Sequence, residues 1–241
     1  YKYFYDKNIS VNMIPVDADF SKYKVVVAPV LYMVKEGMKE ALTEFVRNGG
    51  TLITTFMSGL VDQSDNVHLG GYPGPLRELA GVWVEEIDAL APEQTNTITF
   101  ADGAKISCNL LCDLMHLEGA EQLATYESNF YAGMPAITRN RFGRGCTYYI
   151  GTNMCQKGIE KVLDQATKEA GVHSVIDEET ELEVTCRRTE DTTYYFIFNF
   201  TDKDLPVPSC FAGCTDMLTG KSVSLDQSMK PYDTYLIRKS M

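Results

Sequence analysis

Nucleophilic hydrolysis needs a Ser or Cys on a sharp turn after a sheet strand, with a base beside it, and this sequence offers one turn of that kind. It is Phe56-Met57-Ser58-Gly59, directly after the β-branched run Thr51–Phe56. The turn holds no Cys. A thioether has no proton to lose and cannot attack a carbonyl, and Ser58 has no base next to it in sequence, so a degenerate, non-catalytic elbow is expected. His68, His116 and His173 stand far apart, and Cys108-x-x-x-Cys112 has no second pair to complete a tetrahedral zinc site. Buried thiols, with no metal, are expected there. Acid–base work by two carboxylates needs them placed about 5–10 Å apart. Glu85-Glu86, Asp17/Asp19 and Glu178-Glu179 are adjacent or nearly so, and neighbours on a strand face opposite ways, so solvated surface is expected. Gly143-Arg144-Gly145 precedes a strand, whereas a phosphate cradle needs a helix N-terminus after it; a hairpin turn fits better. Asn199-Phe200-Thr201 is a formal glycosylation sequon read here as strand-end chemistry. No catalytic residue, metal ligand or cofactor site is expected.

The elements that would carry these residues follow from periodicity. Strands are expected at Ile9–Val16, Tyr23–Val30 and Thr51–Phe56. Between the last two, Met38, Ala41, Leu42, Phe45 and Val46 form one helical stripe, and Asn48-Gly49-Gly50 stops it. The runs Val25-Val26-Val27 and Leu52-Ile53-Thr54-Thr55 do not alternate, which predicts a mainly parallel sheet covered by helices. The Gly, Pro, Asp and Asn of Ser58–Pro75 predict a long loop, with Pro75 opening a short helix over Leu76–Ala80. Strands are then expected at Val82–Ile87, Thr97–Phe100, less clearly Ile106–Leu117, and Gln122–Tyr126. A hairpin over Ala136–Phe142 and Cys146–Gly151 follows, and a helix over Lys157–Ala170 ends at Gly171. Beyond it, short runs at Glu181–Arg188, Thr193–Phe200, Cys214–Leu218, Ser222–Leu225 and Thr234–Arg238 predict a small antiparallel β domain. The expected division is 1–171 and 172–241.

Composition narrows the partners. Thirty-three acidic residues against 22 basic ones give a net charge of −11, which repels phosphate backbones and anionic lipid. Neither nucleic acid nor a membrane is an expected partner, since the apolar runs are strand-length. Seven irregularly spaced cysteines read as reduced thiols in a cytoplasm. Tyr1-Lys2-Tyr3-Phe4-Tyr5 has no signal-peptide pattern and reads as a cut in a longer chain.

Six stretches carry a resemblance. Tyr23-Lys-Val-Val-Val-Ala-Pro-Val-Leu-Tyr-Met, Phe45-Val-Arg-Asn-Gly-Gly-Thr-Leu-Ile-Thr-Thr and Val61-Asp-Gln-Ser-Asp-Asn-Val-His-Leu-Gly-Gly-Tyr-Pro-Gly-Pro-Leu-Arg77 resemble the trimerisation domain of glycoside hydrolase family 42 β-galactosidases. Arg141-Phe-Gly-Arg-Gly-Cys-Thr-Tyr-Tyr-Ile-Gly-Thr152, Leu182-Glu-Val-Thr-Cys-Arg-Arg188 and Tyr194-Tyr-Phe-Ile-Phe-Asn-Phe200 are similar to that domain's end and the C-terminal β domain behind it. The resemblance implies an α/β domain of the class I glutamine amidotransferase-like (flavodoxin-like) kind with a mainly parallel sheet, then a small antiparallel β domain. It also implies a parent enzyme whose (β/α)8 barrel holds both catalytic glutamates and the family's metal site, so no residue here inherits those roles. A homotrimer is implied as partner, and the loop Asp62–Pro75, with His68 and Tyr72, is implied to border a substrate funnel.

Three readings follow. The first is a self-associating, non-catalytic part of a cytoplasmic β-galactosidase that releases terminal galactose. The second is an independent amidotransferase- or peptidase-like hydrolase, which needs a nucleophile at the elbow. The third is a carbohydrate-binding module in the C-terminal sheet, which needs exposed aromatics on one face.

Overall fold

The computed structural model describes residues 1–240, and within it the chain divides into two compact units, Ile14–Val172 and a second built from Tyr1–Met13 together with the stretch from His173 onward. In order, the elements begin with α1 (Lys2–Asp6), β1 (Val25–Ala28), α2 (Met38–Arg47), β2 (Thr51–Thr55) and α3 (Arg77–Ala80). Next come β3 (Val82–Ala89), β4 (Asn96–Phe100), β5 (Lys105–Leu117), β6 (Glu121–Tyr126), β7 (Pro135–Phe142), β8 (Gly145–Ile150), β9 (Thr152–Met154) and α4 (Gln156–Glu169). The last are β10 (Glu183–Arg188), β11 (Thr192–Phe198), β12 (Leu205–Pro206), β13 (Ser228–Met229) and β14 (Thr234–Ser240). Among the described residues no helix is long and apolar enough to cross a membrane.

The larger unit holds a nine-stranded sheet in the order β1-β2-β8-β7-β6-β4-β5-β3, with β9 paired to β5. β1, β2 and β8 run parallel. The other neighbours, from β8–β7 through to β5–β3, are antiparallel. The expectation of a mainly parallel sheet is therefore corrected to a mixed one. The reason is connectivity: strands joined by a few residues, as β4 to β5 or β7 to β8 are, can pair only antiparallel, whereas β1 and β2 are separated by the α2 crossover. The expected strand at Ile9–Val16 is absent as well. Pro15 offers no donor there, and Met13 is 87% exposed.

α2 forms where its apolar stripe requires it. Met38, Leu42, Phe45 and Val46 pack with Phe20, Val34, Leu52, Leu76 and Leu79 in one cluster. Burying a side chain such as Leu42, Val46 or Leu52 contributes roughly 1.5–3 kcal/mol each. The β7–β8 hairpin closes against the end of this helix: a Cβ on Gly145 would lie 2.1 Å from Gly50 O and 2.4 Å from Val46 O. That close backbone approach accounts for the glycine of Gly143-Arg144-Gly145 without any phosphate.

In the smaller unit β10, β11 and β14 form one antiparallel sheet, and β12 pairs with β13. Leu182, Val184, Ile197, Phe211, Val223, Met229 and Ile237 fill its core. Residues 1–13, expected with the first domain, make their contacts with this unit. Asn8, buried, donates through Nδ2 to Leu182 O (3.1 Å) and accepts at Oδ1 from Val184 N (2.7 Å), so it satisfies backbone that would otherwise be orphaned. The runs Cys214–Leu218 and Ser222–Leu225, expected as strands, are reduced to the isolated bridges Thr215–Ser222 and Asp216–Ile237. Asp216 takes over the turn, accepting from Leu218 N, Thr219 N, Thr219 Oγ1 and Leu236 N. Asn199 of the sequon is fully buried, and its Nδ2 serves Lys203 O, Met229 O and Lys230 O.

Candidate functional site

The turn after β2 has the backbone of an elbow. Met57 sits in the left-handed region with φ 59°, a conformation that costs a side-chain-bearing residue of order 1–3 kcal/mol and that nucleophile turns also use. The side chains fill it differently. Thr54 Oγ1 donates to Ala28 O (2.9 Å), which leaves the Ser58 hydroxyl to donate to Thr54 Oγ1 (2.8 Å). Ser58 Oγ in turn accepts from Leu31 N (3.0 Å), and the residue is fully buried. Its proton and an acceptor site are committed to tying the exit of β2 to the exit of β1. With Met57 unreactive and Ser58 enclosed, the turn has no available nucleophile.

The loop that follows is pinned at both ends. Val61 bridges Met33 and Val67, and Asp62 Oδ1 accepts from Ser64 N (2.8 Å) and Asn66 N (3.0 Å). Those bonds, Asn66 first, hold the Asp62 carboxyl below the usual range. Further on, Val84 N donates to Tyr72 O (2.7 Å), so the loop returns as a short ladder along β3. Arg77 ion-pairs with Glu118, donates to Gly70 O (3.2 Å) and lies 5.4 Å from the Trp83 ring centre. His116 stacks on the same indole at 4.8 Å between centroids and meets Glu85 Oε2 at 2.8 Å. Gly71 lies against this assembly: a Cβ there, at φ +84°, would come within 2.1 Å of Trp83 Nε1.

This anchoring sorts the loop residues by exposure. Val67 is 68% and Leu69 96% exposed, whereas His68 between them turns inward against Gly74 with Nε2 buried and unpaired. Tyr72, half-buried, likewise has its hydroxyl enclosed without a partner. Burial pushes the Tyr72 phenol up, and the carboxyls of Asp113 and Glu86 add to it.

Below lies a residue to which the sequence reading gave no role. Asp113 on β5 is fully buried, its N–H bonded to Gly151 O (2.8 Å) and its Oδ2 accepting from Tyr149 OH (2.7 Å), with Oδ1 unpaired. Desolvation pushes its carboxyl up to about 8, so it is a neutral acid at pH 7. Its signal was present in the chain as a lone charge inside Leu110-Leu-Cys-Asp-Leu-Met115. The cluster stands at the carboxyl end of β2 and β8, where Phe56 N meets Ile150 O and where open α/β sheets place ligands. Enclosed as it is, Asp113 shapes the base of the loop and cannot reach a solvent-borne substrate.

The remaining candidates are placed apart. Glu85 and Glu86 are both exposed because β3 carries a register shift between Val84 and Glu86, which overrides the expected alternation. Asp19 accepts from Ser21 N. Glu178, expected as solvated surface, accepts from Ser209 N, Ser209 Oγ and Cys210 N, capping a short 3-10 turn. Among the described residues no group of three or more His, Cys, Asp or Glu is assembled as a metal set, and all seven cysteines are free.

Comparison with known proteins agrees with this geometry. The profile of the family described as "Beta-galactosidase trimerisation domain" matches residues 1–173, and that of "Beta-galactosidase C-terminal domain" matches 181–239. β-Galactosidase LacA of Lactobacillus acidophilus is 45% identical over 239 residues, which is 99% of this chain and 35% of that protein. β-Galactosidase Pbg of Clostridium perfringens is 40% identical, over 99% of this chain and 36% of its own length. The crystal structure of β-galactosidase from Bacillus circulans sp. alkalophilus superposes with a TM-score of 0.92 at 38% identity, covering 99% of this chain and 36% of that one. The chain thus spans about a third of the length of the relatives it matches. The two profile matches, which together span nearly the whole chain, and the superposition on the Bacillus circulans enzyme place the chain in the β-galactosidase trimerisation-domain family of glycoside hydrolase family 42, with the family's C-terminal domain behind it.

Proposed function

We propose that this chain is the assembly portion of a β-galactosidase: a non-catalytic pair of domains that self-associates as a homotrimer. In the parent enzyme, terminal β-D-galactosides are hydrolysed with retention by the barrel that its relatives carry and this chain does not span. The observation that carries the reading is the match to the trimerisation domain over residues 1–173. The enclosed Ser58 and the unreactive Met57 support it against an independent amidotransferase-like hydrolase. The amidotransferase-like ancestry of the larger unit rests on the elbow geometry at Met57 and the parallel β1-β2-β8 core. A cytoplasmic setting is supported by seven free thiols.

The pinned loop Asp62–Pro75 borders the substrate entrance of the parent enzyme. His68 and Tyr72 act there as props, since their polar atoms are buried, and Val67 and Leu69 are the side chains presented outward. Light scattering on the chain across a concentration series tests assembly: a trimer weighs three times 27.0 kDa, and a monomer throughout overturns self-association by these domains. In a full-length enzyme, His68→Ala and Tyr72→Ala with unchanged assembly and unchanged galactoside kinetics would sink the entrance assignment.

A further inference from the structure

Cys108 and Cys112 stand four residues apart on β5, a spacing that in a regular strand separates the Cα atoms by about 13 Å. β5 is not regular there. Its partner β9 pairs Cys108 with Met154, Asn109 with Asn153 and Cys112 with Thr152, so three steps along β5 are taken against one along β9. Leu110, at φ 69°, carries the bulge. The two cysteines therefore lie opposite residues only two apart, and the gap contracts to about 7 Å. Disulfides span Cα separations up to about 6.8 Å, so the bulge brings the pair to the edge of bridging range. The side chains already face each other: the Cys108 thiol donates toward Cys112, and Cys112 Sγ lies 3.6 Å from Thr152 Oγ1. Both are buried, at 1% and 0% exposure.

We propose that Cys108 and Cys112 are a modification site, a dithiol that a hydroperoxide converts to a reversible disulfide within β5. Cys112 is the first to react, because the hydrogen bond from Cys108 favours its thiolate, while Cys108 as donor is pushed up. The Cys112 sulfur attacks one peroxide oxygen, the O–O bond breaks, and the departing oxygen takes a proton and leaves as water (or as an alcohol from an alkyl hydroperoxide). The sulfenic acid so formed is attacked by the Cys108 sulfur. The S–S bond forms, the S–O bond breaks, and the hydroxide leaves as water with the Cys108 proton. Two thiols lose two electrons, and one peroxide gains them. Tyr131, buried and held by Asp88 Oδ2 (2.7 Å) and Asn129 Nδ2 (2.9 Å), covers Cys112, so the reaction waits on a local opening and lags behind the exposed Cys155 and Cys210.

The test is peroxide treatment of the folded chain, alkylation of remaining thiols after denaturation, and mass mapping of the tryptic peptide Ile106–Arg139, which has no Lys or Arg before its end and holds both cysteines. The expected peptide carries no alkyl group, is lighter by two hydrogen atoms and recovers both thiols after dithiothreitol. In Cys112→Ser the Cys108 thiol stays alkylatable. Overturning results are a peptide alkylated at both positions once Cys155 is fully oxidised, Cys112 as sulfinic acid beside an alkylated Cys108, or a disulfide from either residue to a cysteine outside the peptide. The wild-type map decides alone if the serine variant does not fold.

Discussion

Asp113→Asn separates a buried acid from a buried polar group of nearly the same shape. In the folded chain, desolvation lifts the carboxyl from 3.8 to about 8. A raised acid contributes stability that is complete below its unfolded pKa and is lost as pH rises toward the folded one. Between about pH 5 and about pH 7 the unfolded chain has released this proton and the folded chain keeps it, so each pH unit costs the wild type about 1.4 kcal/mol. Asn does not titrate. The stability difference, variant minus wild type, should therefore grow by about 2.7 kcal/mol over those two units, or roughly 5–10 °C in the midpoint for a unit of this size. Tyr149, Tyr72 and Tyr126, which face the carboxyl, are all pushed up and do not titrate in this window; Cys112 beside it is pulled down to about 6 and does, so both proteins are compared in a Cys112→Ser background. Thermal unfolding followed by the emission of Trp83, the single tryptophan, reads the unit that holds Asp113. A midpoint difference that stays constant from about pH 5 to about pH 7 refutes the reasoning, because it means the folded chain holds an ionised Asp113.

Other perturbations reach other parts. Gly71→Ala puts a Cβ into Trp83 at an unfavourable φ, so a loss of about 2–3 kcal/mol and a red-shifted Trp83 emission are expected; unchanged emission would show the loop tolerating the contact. Asn8→Ala orphans Leu182 O and Val184 N, and urea unfolding should record about 2 kcal/mol lost from the smaller unit. Ser58→Ala removes the tie between the exits of β1 and β2 at a cost of about 1–2 kcal/mol by thermal melt, while turnover of galactoside by a full-length enzyme should be untouched. Leu69→Ser, at a side chain 96% exposed, should leave the midpoint within about 0.5 kcal/mol of wild type in the same melt.

Local order in this molecule was legible where a period repeats. The α2 stripe, the β7–β8 hairpin with its glycine-rich turn and the alternation along β10 and β11 all stand close to where the residues put them. β5 was harder to read, because over thirteen residues it passes from an alternating to a continuously buried pattern through the bulge at Leu110. Strand order is set by pairings far apart in sequence, such as β2 with β8, and no local pattern encodes them. The Ile9–Val16 run has strand-like residues but Pro15 within it and no neighbour to pair with. At the candidate site, the absence of a nucleophile was plain from Met57. The inward turn of His68 depends on Gly74, and the enclosure of Tyr72 on Asp113 and Tyr149, which lie up to 77 residues away from it.

The splitting of the smaller unit between the two ends of this sequence bears on the order of events at the ribosome. Residues 1–13 are made before Ile14–Val172, but Asn8 meets its acceptor and donor only after Leu182 and Val184 have been synthesised. Ile14–Val172 can close around its own sheet in the meantime, as an insertion folding inside a unit that is still incomplete. During that interval Tyr3 and Phe4, buried in the finished protein, have no core of their own unit to enter, which leaves this segment in need of chaperone cover. A cut made at residue 173 to isolate the C-terminal sheet would discard Asn8 with everything before it, and the fragment would carry two unsatisfied backbone groups at the edge of β10 from the start.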